Sequence, residues 1–273
     1  MVIEILAGSP ISPDLRRYCG DSGLDALADS STWADDERSV DPRTAGWHFI
    51  DIPRGVPKGD TAQYCPESGG CVTKAISDQL TILRDPKANP QSKADALRYL
   101  IHFVGDLHQP LHATTNDDRG GNCVPVAFFD QATDQTNARR EDYRPNLHGV
   151  WDTSIIERWA HRRSPQQLAS ELETKFKPQM AVWASQQVDI DAWAWESHEL
   201  AERVVYGDLP TKVAIEKPQP VNTCADDDHI SMRMLKLHEQ IGDGYESVAE
   251  AAVQEQLAKA GVRLAVVLNS LWP

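Results

Sequence analysis

Two short stretches repeat one arrangement, a histidine followed four residues later by an aspartate: His102/Asp106 in LRYLIHFVGDLHQPLH and His148/Asp152 in NLHGVWDTS. Four residues make about one helical turn, so each pair sets an imidazole and a carboxylate on one helix face, aimed at a common point. That is the donor set of a metal site with nitrogen and oxygen ligands, zinc above all. The first pair falls among Leu97, Leu100, Ile101 and Val104, the apolar stripe of an amphipathic helix, where an unpartnered charge is strongly disfavoured. Pro110 stops that helix and His112 follows just beyond it, so three potential ligands occupy eleven residues.

Further candidates lie upstream. In STWADDER, Arg38 follows Asp35 by about one turn and is placed to hold its carboxylate. In GWHFIDIP, His48 stands between Trp47 and Phe49, an apolar setting that buries the imidazole. Asp35, His48, His102, Asp106, His112, His148 and Asp152 together give four histidines and three aspartates, a set for more than one zinc, with a two-oxygen carboxylate able to bridge adjacent ions. Each member alone has a plainer reading. A His/Asp pair one turn apart is also the pattern of a surface ion pair, and His48 alone that of a hydrogen-bonded core residue. His108, His161 and His198 read as helix-end residues interacting with the dipole, and Trp193 and Trp195 as core rather than a base-stacking platform. Repetition of the pair beside an apolar face favours metal.

Positioning these groups falls to helices. Apolar residues recurring at three and four predict helices over about Pro13–Asp29, Gly70–Leu83, Gln91–Leu107, His148–His161, Pro165–Ser185, Ile190–Tyr206, Met232–Ile241 and Tyr245–Leu271. Alternation is confined to Val124–Phe129, expected as half of a small β-hairpin, with a polar loop through Arg144. Asp51–Asp60 and Asp208–Asp228 read as long surface connections, not domain linkers. The expected fold is all-α, a single multi-helix domain over residues 1–273 with functional loops.

Composition bounds the partners. At 273 residues and 41% hydrophobic content the chain can bury a large core, and no stretch reaches the apolar length that spans a membrane. A net charge of −14 argues against coating duplex nucleic acid by phosphate neutralisation, and an anionic substrate fits only if bound divalent ions reverse the sign locally. The five cysteines, Cys19, Cys65, Cys71, Cys123 and Cys224, lack zinc-knuckle spacing. Cys65 and Cys71 bracket PESGG, which a local disulfide would close; the odd total leaves at least one thiol unpaired, and the balance leans towards an oxidising compartment. The opening MVIEILAGSPIS has neither the basic start nor the apolar run of a signal peptide.

WADD-x-R, WHFID, HFVGDLHQPLH, GGN and NLHGVWD, in that order, resemble the S1/P1 nucleases, zinc enzymes related to bacterial phospholipase C. The resemblance takes in QLAKAGVRLA and runs from about Ser31 to Leu268. It implies an all-α fold with a three-zinc cleft. Asp35, His48 and His102 would hold one zinc with Asp106 as the bridging carboxylate; His112, His148 and Asp152 would hold a second. The family's third zinc shares the bridging aspartate and takes an N-terminal Trp and a nearby His. This chain opens Met1-Val2-Ile3-Glu4 and shows neither; of a truncated start and a divergent two-zinc form, truncation is the expectation, because Ile3, Ile5 and Leu6 look like the tail of a helix begun earlier.

The resemblance further implies cleavage of single-stranded DNA and RNA to 5′-phosphate products, with 3′-nucleotides as further substrates. Asp35, Arg38 and Asp106 would serve catalysis. Phe49 would stack on a base and Asp51 bond its edge, with Asn122 and Asn146 either supporting the metal ligands or contacting the nucleic-acid phosphates. A monomer, secreted or periplasmic and not membrane-bound, is expected. The nearest rival is a zinc phospholipase C, which carries Glu four residues after its histidine where this chain has Asp152; Phe49 and Asp51 also suit a base better than a lipid headgroup. The other rival is a catalytically impaired helical zinc-binding protein.

Overall fold

Helix α1 (Trp33–Val40) is short and its buried residue is Ala34. Then come α2 (Val72–Arg84), α3 (Pro90–Leu107) and, after the functional loops, α4, in which Leu147–Gly149 continues through a wider π turn, Val150–Ser154, into Ile155–Ala160. Helix α5 spans Pro165–Ser185, α6 spans Ile190–Leu200 and ends in a second π turn, Ala201–Val205, and α7 spans Asp243–Leu271. This computed structural model describes residues 27–28, 30–131, 145–216, 224 and 239–271. The expected helix Pro13–Asp29 lies outside them except at its end, where Leu27 and Ala28 are helical.

The helix starts have local causes. Asn89 accepts a hydrogen bond from the Ser92 N–H and Pro90 follows it, fixing the start of α3. Ser164 and Gln167 close a reciprocal capping box on α5. The stripe foreseen on α3 is buried: Leu97, Leu100, Ile101 and Val104 all lie in the core.

Two expectations are corrected. Val126–Phe128 (β1) is not half of a hairpin; it pairs in parallel with Glu239–Ile241 (β2), Val126 opposite Glu239. Phe129 takes a positive φ of 53° directly after β1, and the local antiparallel contact shrinks to one bridge between Phe128 and Gln131, which leaves the β1 edge to a distant segment. Correspondingly, the end of the expected helix Met232–Ile241 is strand; the rest of it lies outside the described residues.

Two large hydrophobic clusters meet near the His/Asp residues. One joins α2 and α3 to Trp193 and Trp195 of α6; the other gathers β1, β2, Trp151 and the Val204–Tyr206 stretch. The 3-10 turn Pro110–Ala113 lies on the seam, with Leu111 in one cluster and Ala113 in the other. His112 is held between those anchors. Two disulfides close loops, Cys65–Cys71 as foreseen and Cys123–Cys224, which ties the start of the β1 segment to a residue 101 positions on. Among the described residues no helix is long and apolar enough to cross a membrane.

Candidate metal centre

Aromatic packing brings the upstream motifs to α3. Trp33 and Trp47 pack edge-on against Tyr99, about one turn before His102, and His48 packs edge-on against Phe103. The segment after His48 is then laced to the turn carrying His112: Ile50 N–H donates to the His112 carbonyl (2.8 Å), Thr115 N–H to Ile52 (3.0 Å) and Arg54 N–H to Thr115 (3.0 Å). His112 completes the lacing, its Nδ1 donating to the His48 carbonyl at 2.9 Å. Asn146 caps α4 by accepting from Gly149 N–H at 2.7 Å, and the π turn that begins at Val150 carries Asp152, whose Oδ2 lies 3.0 Å from His148 Nε2.

Six of the seven foreseen residues fall into two groups that could hold a metal ion, Asp35/His48/His102 and His112/His148/Asp152, with ligand atoms within 4.8 Å of one another in each. The seventh, Asp106, joins them. Its Oδ2 lies 3.0 Å from His48 Nδ1 and 3.0 Å from His102 Nε2, while its Oδ1 lies 3.5 Å from His112 Nδ1. Asp35 is the loosest member, 3.6 Å from each imidazole with its side chain 60% exposed.

The donor set fits a cation. His102 Nδ1 donates to the Ser31 carbonyl at 2.5 Å, His148 Nδ1 to the Gly120 carbonyl at 2.7 Å, and His112 Nδ1 to His48. With one nitrogen of each ring so occupied, the neutral imidazole turns the lone pair of its other nitrogen towards carboxylate oxygens, an arrangement that repels unless a proton or a metal ion stands between. His112 Nε2 shows this directly: it is buried, lacks a hydrogen-bond partner and lies 3.3 Å from Asp152 Oδ1. Without metal, protons must do the work. Burial opposes the charged form of His112, yet the Asp106 and Asp152 carboxylates overcome it and raise the imidazole to about 9. Burial would likewise raise Asp106 and Asp152, but the surrounding imidazoles hold both well below the usual carboxylate range.

A cleft of about 180 Å³ opens on this cluster, lined by Arg38, His48, Phe49, Asp51, Asn122 and His148 among others. Phe49 is 37% exposed, a ring face available to a ligand. Asp51 is solvent-accessible, yet enclosed by protein and facing Asp118, and its carboxyl is pushed up to about 6, with Arg119 opposing.

Several expectations change. Arg38 makes no ion pair with Asp35; one turn on the exposed face of α1 leaves both free to diverge, and the guanidinium lines the cleft instead. Asn146 is buried and its side-chain oxygen caps α4, which fits the first of its two expected roles, support of His148, rather than a phosphate contact in the cleft. His108 caps α3 and His198 lies in the last turn of α6, the helix ends expected, but both are also buried in the core. His108 Nδ1 donates to Val104 (2.7 Å) and Arg263 donates to its Nε2 (2.9 Å), so burial and that guanidinium lower the imidazole to about 4. His198 meets Thr114 Oγ1 at 3.0 Å. His161 does end α4, and Trp193 and Trp195 are buried.

One contributor was not foreseen. Gln109 accepts the Leu111 N–H at 2.5 Å, which turns its amide NH₂ towards Asp152 Oδ1 at 2.6 Å. Its place inside HQPLH, three residues before the candidate ligand His112, was the available signal.

Comparison with known proteins agrees with this geometry. The S1/P1 Nuclease family model matches residues 12–273. The chain is 29% identical to Endonuclease 3 of Arabidopsis thaliana over 269 residues, covering 94% of this chain and 81% of that protein. It is 26% identical to Nuclease PA3 of a Penicillium species over 98% of this chain and 94% of that protein. It is 30% identical to Nuclease S1 of Aspergillus oryzae over 57% of this chain and 52% of that protein. With the match spanning nearly its whole length, the chain belongs to the S1/P1 nuclease family.

Proposed function

We propose that this chain is a zinc-dependent phosphodiesterase that cleaves single-stranded DNA and RNA within the strand, leaving 5′-phosphate products, and also takes 3′-nucleotides. The supporting observation is Asp106, one largely buried carboxylate facing both His/Asp groups, whose His48, His112 and His148 line a cleft that also carries Phe49 and Asp51. Asp35, His48, His102 and Asp106 hold one ion; His112, His148 and Asp152 hold another. The family's third ion would share Asp106, but the Trp and His that complete its site have no counterpart in residues 1–32 of this sequence. Zinc, when bound, supplies Lewis acidity to phosphoryl oxygens and acidifies water towards neutral pH.

The chain's own groups do the rest. Phe49 offers a ring face for one base and Asp51 an acceptor for its edge; only an unpaired base can take both, which favours single strands. Arg38 faces the same cleft and offsets charge on the reacting phosphate, and Asn122 lines its wall. The whole chain acts as one unit and as a monomer, and its two disulfides suit an oxidising, extracytoplasmic compartment.

Stripping the protein with a chelator and restoring zinc tests this. Cleavage of single-stranded DNA and RNA should vanish and return, matched duplex should be cut far more slowly, and products should carry 5′-phosphates. A protein that binds its zinc fully yet leaves single strands and 3′-nucleotides intact would overturn the reading.

A further inference from the structure

The loop Thr115–Asn122 does more than supply the Gly120 carbonyl to His148. Two of its non-glycine residues, Asp117 (φ 60°) and Arg119 (φ 55°), are held in the left-handed region, followed by Gly120 (φ 60°) and Gly121 (φ 83°). A side chain in that region is unfavourable and persists only where the surroundings impose it. Asp118 imposes it here. Fully buried, its Oδ1 accepts the N–H groups of Asn116 (3.2 Å) and Gly121 (3.0 Å), and its Oδ2 accepts the Tyr206 hydroxyl (2.8 Å). A Cβ on Gly120 would sit 2.7 Å from the Leu111 carbonyl, so the loop is also pressed against the turn that carries His112. The consequence is a fixed Arg119, half-buried and lining the same cleft as Phe49 and Asp51.

We propose that Arg119 is a specificity-determining residue, forming with Asp51 a donor–acceptor pair that selects guanine over adenine for the base stacked on Phe49. This rests on the nuclease reading above. Guanine offers N1–H and N2–H₂ to a carboxylate and, on the adjoining edge, O6 and N7 to a guanidinium. Adenine inverts the polarity: its N1 lone pair meets the carboxylate and its N6 amine meets the guanidinium. Thymine and uracil satisfy one bond with each partner, and cytosine mismatches both. The order is therefore guanine first, thymine and uracil next, adenine and cytosine last. At neutral pH the Asp51 carboxyl, raised to about 6, is still ionised and accepting.

Two measurements on the zinc-loaded full chain test this. The first maps cleavage along an oligodeoxyadenylate carrying one deoxyguanosine; the second compares binding of guanosine and adenosine monophosphates. Arg119→Asn is the variant of choice, since asparagine tolerates the left-handed conformation and removes only the guanidinium. The wild type should favour guanine by about tenfold in both assays, and the variant, with unchanged zinc content, should lose that advantage. Equal handling of guanine and adenine by the wild type overturns the inference. So does a variant that slows every bond alike, which would make Arg119 a phosphate contact. Guanine-selective binding without any cleavage would instead refute the nuclease reading and leave base selection standing.

Discussion

Asp35, His48 and His102 come from three separate elements, whereas His112, His148 and Asp152 come from one turn and one helix. In the first group the imidazoles are nearly sealed, with side chains 3% and 8% exposed, and the aspartate is the open member at 60%. In the second, both imidazoles donate Nδ1–H to backbone carbonyls and Gln109 braces the aspartate. Local geometry thus prebuilds the second group. The first depends on docking α1 against α3 and on Asp106, and its candidate ligand Asp35 stands 3.6 Å from each imidazole, so a bound ion would have to draw it in. Asp106 couples the two, so the groups should fail together there and separately elsewhere.

Asp106→Asn should therefore have the largest effect. Changes to groups that merely orient ligands cost about 10- to 100-fold in metal affinity or activity, so losing the shared carboxylate should exceed a loss of about 100-fold and weaken zinc at both groups. Parallel zinc titration and cleavage assays would show this; loss at one group alone would break the coupling. His148→Ala should come next, lowering bound zinc by the second group's ion while the first is retained. Gln109→Leu should be milder, about tenfold weaker zinc at the second group with no change at the first, seen by competitive chelation. An equal weakening at both would mean that Gln109 serves the turn and not Asp152.

The smallest effect is on stability, and its sign separates the site from the core. His112 is raised from 6.5 to about 9, so in metal-free protein its contribution is full below 6.5 and is lost as pH rises towards 9. His108 is lowered from 6.5 to about 4, so its contribution is full above 6.5 and is lost as pH falls towards 4. Thermal unfolding of the metal-free protein should then lose a stabilising term on the alkaline side that His112→Gln removes, while zinc reverses the loss by displacing the proton. A variant with the same alkaline slope as the wild type would contradict the assignment.

How much of this could be read from the residues varies with the range of the interaction. The helices α2, α3, α5 and α7 follow from their own periodicity, and the His/Asp pairs from turn spacing, because both are local. The candidate ligands were legible from the repeated His/Asp spacing beside apolar residues, and in the first group Trp33 and Trp47, packed on Tyr99, bring them together. The parallel pairing of β1 with β2 and the Cys123–Cys224 bridge join distant segments whose sequences carry no mark of each other. Arg38 and Asp35 misled for a related reason: spacing permits an ion pair, but the open face of α1 does not enforce one. Between the two roles open to Asn146 the sequence could not choose, because its capping role depends on where α4 begins.

The central claim is that two His/Asp groups, joined by Asp106, hold separate ions beside the cleft that His48, His112 and His148 line. Anomalous diffraction at the zinc edge from zinc-loaded crystals tests it most directly. The account predicts one peak among Asp35, His48, His102 and Asp106 and another among His112, His148 and Asp152. A fully active protein with either position empty of anomalous density would contradict it.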